Sequence, residues 1–120
     1  MTRKRQSLGR RGEDLACRFL EEKGYHIIAR NYRTRTGEVD IIARDGAALV
    51  FVEVKTRGSK RFGHPFEAVT FRKRQQLTRV ALEYISRNAH YDQEARFDVV
   101  GIITEGGDKI ELIRNAFDIS

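Results

Sequence analysis

The 120-residue chain is poor in three things: it has one cysteine, one proline, and no apolar run near the roughly 20 residues that a membrane helix needs. A lone Cys17 cannot form an internal disulfide, which suits a reducing compartment, so a cytoplasmic protein without a membrane partner is expected. One proline excludes a collagen-like chain, and an apolar share of 40% excludes wholesale disorder. The first residues, Met-Thr-Arg-Lys-Arg-Gln-Ser, are basic and lack the apolar stretch of a secretory signal. No internal repeat, low-complexity tract or domain boundary breaks the chain. Its length predicts a single domain over 1–120, with residues 1–7 as a basic, flexible arm.

What is present is positive charge, and it is unevenly placed. The formal net charge is +6, yet residues 1–11 alone carry +5 and residues 55–79 carry +7. Together these segments hold +12, which leaves −6 on the rest. Clustered cations of this kind favour a polyanion, most simply nucleic-acid phosphates. The competing reading is a solvated tail and a solvated helix face. Neither basic segment has a bulky apolar face to insert into a lipid surface.

Hydrophobic spacing predicts the order α-β-β-β-α-β-β. Ser7 can cap a helix running to about Lys23, with Gly24 as its left-handed stop and Gly12, Ala16, Phe19 and Leu20 as its buried stripe. Extended segments follow near 25–33, 38–44 and 49–56, the last two joined at Asp45-Gly46. Arg57 to Pro65 reads as a loop. A second helix spans about Thr70 to Asn88, with Leu77, Val80, Ala81, Tyr84 and Ile85 inward. Strands near 96–104 and 109–115 meet at Gly106-Gly107. A helix between the third and fourth strands allows a crossover, so the fold class is α/β, with a mixed five-stranded sheet flanked by helices.

Two strands of this sheet carry charges where apolar residues are expected. In 49–56, Val50, Val52 and Val54 line one face, while Leu49 and Phe51 are followed on the other by Glu53 and Lys55. The partner strand places Val39, Ile41 and Ala43 on one face and Glu38, Asp40 and Ile42 on the other. Apolar residues on both faces mark a covered strand, in which an ionised carboxylate needs a partner or a metal. If the loop is the four residues Asp45 to Ala48, Arg44 faces Leu49 and Asp40 falls opposite Glu53; if only Asp45 and Gly46 form it, Asp40 faces Phe51 and is diagonal to Glu53. An unbulged three-residue loop would put the two acids on opposite faces, so the reading requires an even loop or a bulge. Two carboxylates with a lysine one pleat beyond outline a Mg²⁺ or Mn²⁺ site, because such hard ions take oxygen ligands and substrate phosphates. Asp40 and Glu53 would hold the ion and Lys55 would orient the attacking water. The competing reading is a cross-strand ion pair without chemistry.

Gly37-Glu38-Val39-Asp40-Ile41 followed by Glu53-Val54-Lys55 resembles the metal-site signature of the PD-(D/E)XK nuclease superfamily, with Val39 where the signature name has proline. Gly9-Arg10-Arg11-Gly12-Glu13, Phe51-Val52-Glu53-Val54-Lys55 and Arg96-Phe97-Asp98-Val99-Val100 further resemble the bacterial YraN family, a likeness covering roughly residues 8 to 118. The resemblance implies a restriction-endonuclease-like fold close to Holliday-junction resolvases and a Mg²⁺- or Mn²⁺-dependent endonuclease. It implies metal ligands at Asp40, Glu53 and Glu13, and a catalytic Lys55. A homodimer is compatible with it, since related resolvases are dimeric.

Around that centre, Arg10, Arg11, Arg57, Lys60, Arg61, Arg72, Lys73, Arg74 and Gln76 are candidates for nucleic-acid binding, with DNA favoured over RNA. Lys73 falls on the inward side of the second helix, flanked by Gln76. Phe62 is a candidate for stacking on a base. His26, His64 and His90 have no metal-ligand spacing. Asp98, in an apolar strand, needs a partner, for which Arg96 is the nearest. A non-catalytic nucleic-acid-binding module of the same fold is the alternative function, and a protein scaffold is a third.

Overall fold

The computed structural model describes residues 3–59, 69–88 and 94–117. Elements follow in the expected order: α1 (Arg3–Glu22), β1 (His26–Thr34), β2 (Gly37–Asp45), β3 (Ala48–Arg57), α2 (Phe71–Asn88), β4 (Ala95–Ile103) and β5 (Lys109–Phe117). The strands form one sheet in the spatial order β1-β2-β3-β4-β5. Neighbours are antiparallel except β3 and β4, which run parallel because the chain returns to the sheet through α2.

Helix α1 begins at Arg3, not at Ser7, so Ser7 is not its cap and residues 3–7 are helical. The reason is local: Arg3, Lys4, Arg5 and Gln6 are all good helix formers. Its far end is as expected. Gly24 adopts a left-handed φ of 93°, and the Tyr25 N–H donates back to the Leu20 carbonyl at 2.9 Å. That turn drives Tyr25 into the interior. Helix α2 starts on Thr70, whose Oγ1 accepts the Lys73 N–H at 3.2 Å.

The helices cover opposite faces of the sheet. Ala16, Cys17 and Leu20 of α1 pack with Ile41, Val50, Val52, Val100 and Ile102. Leu77, Val80, Ala81 and Tyr84 of α2 pack with Ile42, Phe51, Phe97 and Val99. Strand β3 is therefore covered on both sides, as its apolar pattern requires. The approach of α1 is close enough that a Cβ on Gly12 would collide with the Thr56 side chain. Gly12→Ala is accordingly expected to lose about 1–2 kcal/mol in chemical denaturation, although alanine is the better helix former by about 1 kcal/mol.

One face assignment is corrected. Val39 packs on the α2 side together with Ile42, whereas strict alternation puts residues three apart on opposite faces. The same reversal occurs on β1, where Ala29 and Tyr32 both lie on the α2 side. Between the Arg30–Ile41 and Tyr32–Val39 pairs sit Asp40 and Asn31, and Asn31 has a left-handed φ of 53°. The dislocation in the pleat falls at Asp40.

At the hairpin end of β2 and β3, Asp98 is fully buried and satisfied from three directions. Tyr25 OH donates to it at 2.7 Å, Arg96 Nε at 3.0 Å and the Asn115 N–H at 2.9 Å. Arg96 and Arg114 also bond Asp45 at 2.6 and 2.7 Å, and the Arg96 guanidinium holds the Asp45 carboxyl below the usual carboxylate range. Arg96 is thus the partner expected for Asp98, with Tyr25 added by the fold.

Candidate functional site

The β2–β3 register pairs Arg44 with Leu49 and Ile41 with Val52, the alternative that sets Asp40 level with Glu53. The loop is Gly46-Ala47, with Asp45 and Ala48 still paired. Pairing stops at Ile41–Val52, although β2 continues back to Gly37. In the gap, Asp40 Oδ2 accepts the Val54 N–H at 2.8 Å. A carboxylate takes the place of a main-chain acceptor, and its position is set by the sheet itself.

Asp40 and Glu53 meet there. Burial and the neighbouring Glu53 charge, with a carboxyl–carboxyl hydrogen bond, push the Asp40 carboxyl up to about 8. Asp40 therefore keeps its proton at neutral pH. Glu53 is 4% exposed, and its Oε2 lies 3.4 Å from Lys55 Nζ and 3.5 Å from Lys73 Nζ. Lys55 comes from two residues along β3, and Lys73 from the first turn of α2 on the same face. Glu13 lies near enough to raise Asp40 further, but its carboxylate sits 3.7 Å from Arg30 of β1.

Among the described residues no three Asp, Glu, His or Cys side chains gather as a metal cluster. Among the described residues the carboxylates that meet are those of Asp40 and Glu53. That suits Mg²⁺, which commonly takes one or two carboxylates and completes its shell with water and phosphate.

A family profile described as "Uncharacterised protein family UPF0102" matches residues 12–102. The chain is 50% identical over 119 residues to a UPF0102 protein of Desulfosudis oleivorans, covering 98% of this chain and 95% of the other. It is 49% identical over 112 residues to one from Alkaliphilus metalliredigens, covering 93% and 98%. A relative from Geobacter sulfurreducens is 50% identical over 115 residues, covering 94% and 90%. The chain belongs to the UPF0102 family.

In this UPF0102 protein the basic candidates do not form one surface. Arg10 and Arg11 belong to the helix on the α1 face, and the exposed Arg11 pairs with Asp108. Lys73, Arg72 and Gln76 belong to the α2 face. Arg74 turns away from them: its Nε donates to the Val69 carbonyl at 3.1 Å and its guanidinium lies over the Phe117 ring. Arg57 closes β3, its Nε buried and without a hydrogen-bond partner among the described residues. Lys60, Arg61, Phe62, His64 and His90 lie outside the described residues.

Two open cavities flank Lys73 and Gln76 in the UPF0102 structure. One, of about 550 Å³, is lined by Thr36, Thr70, Arg72, Lys73, Gln75, Gln76 and Arg79. The other, of about 510 Å³, is lined by Arg33, Thr34, Gly37, Glu38, Lys73 and Gln76. Gln76 divides them, because its amide donates to the Thr36 carbonyl at 2.8 Å and packs against Gly37. It ties α2 to the β1–β2 turn, so its amide nitrogen is engaged by the protein. Arg79, Arg33 and the turn residues escaped the sequence reading. The available signal was Arg33 and Arg35, one just before and one within the turn that leads straight into the strand of Asp40.

Proposed function

We propose that this chain is a Mg²⁺- or Mn²⁺-dependent nuclease of the PD-(D/E)XK type, the reading its resemblance to the YraN family and to Holliday-junction resolvases suggests, working on DNA in the cytoplasm. The observation that carries the proposal is the meeting of Asp40 and Glu53 where β2 and β3 part, with Lys55 Nζ 3.4 Å from Glu53. Asp40 and Glu53 hold the ion, and Glu13 assists once released from Arg30. A bound divalent cation polarises a phosphoryl oxygen and lowers the pKa of its water. Lys55 orients the water and offsets charge growing on the phosphoryl oxygens. The water oxygen bonds to phosphorus, its proton leaves to solvent, and the bond to the leaving oxygen breaks.

Support for the polyanion comes from the cations around the centre. Arg72, Lys73 and Arg79 line one cavity wall, and Lys73 reaches Glu53 itself. The test is a Mg²⁺ and Mn²⁺ panel against single-stranded, duplex, flapped and four-way DNA, with Glu53→Ala as control. Cleavage by the wild type that Glu53→Ala abolishes is the expected result. Salt-sensitive binding with no cleavage in either ion would replace the proposal with a non-catalytic binding module. A homodimer, which a two-fold symmetric junction requires, is read from the mass in solution.

A further inference from the structure

Phe71 opens α2 with 70% of its surface in water. Among the described residues Phe71 belongs to neither core cluster. Its chain neighbours Thr70 and Arg72 line the 550 Å³ cavity, and so do Gln75 and Arg79. At about 100° per residue, Gln75 lies about 40° and Arg79 about 80° around the helix from Phe71. The ring and the guanidinium groups therefore share one exposed face. Among the described residues that cavity is lined by three cations, Arg72, Lys73 and Arg79, and by no carboxylate, although Lys73 also reaches Glu53. Its neighbour differs, since there Glu38 pairs with Arg33 at 2.9 Å.

An exposed ring beside exposed guanidinium groups is the chemistry that holds unpaired bases and their phosphates. The aromatic face accepts any base free of its own stack, and the cations take the backbone. A duplex offers its phosphates but keeps its base faces covered, so it leaves Phe71 without a partner. We infer that this face of α2 binds a single-stranded polynucleotide, with one base stacked on Phe71 and flanking phosphates on Arg72 and Arg79. The strand then runs into the cavity lined by Lys73, whose ammonium lies 3.5 Å from Glu53. The inference rests on the nucleic-acid reading above and specifies the form of its substrate.

The test uses the full chain in EDTA, so binding is separated from cleavage. Anisotropy is measured with labelled oligo(dT), oligo(U) and a duplex of equal length, across a salt series. Phe71→Ala should weaken binding of the single strands about tenfold and leave the duplex unchanged. Arg72→Ala and Arg79→Ala should each reduce the salt slope by about 1. Because the sequence contains no tryptophan, Phe71→Trp introduces a unique indole, whose emission should be quenched when a base stacks on it. Preference for oligo(dT) or for oligo(U) assigns the sugar, and either supports the inference. Unchanged single-strand affinity in Phe71→Ala, or unquenched emission from Phe71→Trp at saturation, would overturn it. So would a wild type that binds duplex more tightly than single strands. If single strands bind as expected but nothing is cleaved, the hydrolytic proposal fails and this surface stands. If cleavage persists and Phe71→Ala binds normally, the surface alone fails.

Discussion

Asp40→Asn is expected to lower divalent-dependent cleavage by about 10³-fold or more, the scale of the several kcal/mol that a held metal supplies to a transition state. The fold should survive. An asparagine oxygen can still accept the Val54 N–H that Asp40 accepts at 2.8 Å. What it cannot do is carry charge beside Glu53. In the metal-free wild type, burial and the Glu53 charge move the Asp40 carboxyl from 3.8 to about 8. Between those two pH values the unfolded chain has released this proton and the folded chain has kept it. Raising the pH through that window therefore lowers stability, and above about 8 the effect levels off. Thermal melts in EDTA from pH 5 to 9 should show that decline in the wild type and its loss in Asp40→Asn. Added Mg²⁺ should restore the wild type most at the alkaline end, where the ion no longer competes with the proton. A variant with the wild-type pH slope would remove Asp40 as the source.

Asp98→Ala should be the most damaging single substitution for stability, at about 3–5 kcal/mol. Asp98 is fully buried, and its removal leaves the Tyr25 hydroxyl and the Asn115 N–H without their acceptor. It also leaves Arg96, whose guanidinium is held between Asp98 and Asp45, with half its charge partners. The β5 register shifts between the pairs Phe97–Phe117 and Val99–Ile113, and Asn115 there has a left-handed φ of 50°. That bulge is what turns the Asn115 N–H onto Asp98, so the loss should extend to β5 pairing. Urea denaturation gives the stability change, and hydrogen exchange at Ile113 and Phe117 should rise more than at Val50. A loss under 1 kcal/mol would mean the network is incidental.

Much of this was legible beforehand because it is local. Period-two and period-3.6 patterning placed all seven elements, and Gly24 stopped α1 where a left-handed residue was needed. The apolar run around Glu53 announced a strand covered on both sides, whereas the hairpin register stayed open until the structure paired Arg44 with Leu49. The start of α1 was misplaced because Ser7 is a competent cap in a segment that is also a competent helix interior. The face of Val39 was misplaced because a single left-handed Asn31 on another strand resets the pleat. Arg74 was grouped with the cations beside it in sequence, yet a step of one or two residues on a helix turns a side chain to a different neighbour.

The sequence by itself determined the elements, their order, and the unusual acids within an apolar strand, since each follows from backbone geometry and the cost of burying charge. Only the tertiary structure decided what those acids do to each other. The raised Asp40 carboxyl beside Glu53, the Lys73 ammonium brought down from α2, and Glu13 drawn towards Arg30 all depend on distances between elements far apart in the chain. Charge interactions in a buried site are strong and vary with separation, and no residue pattern along one strand fixes such distances.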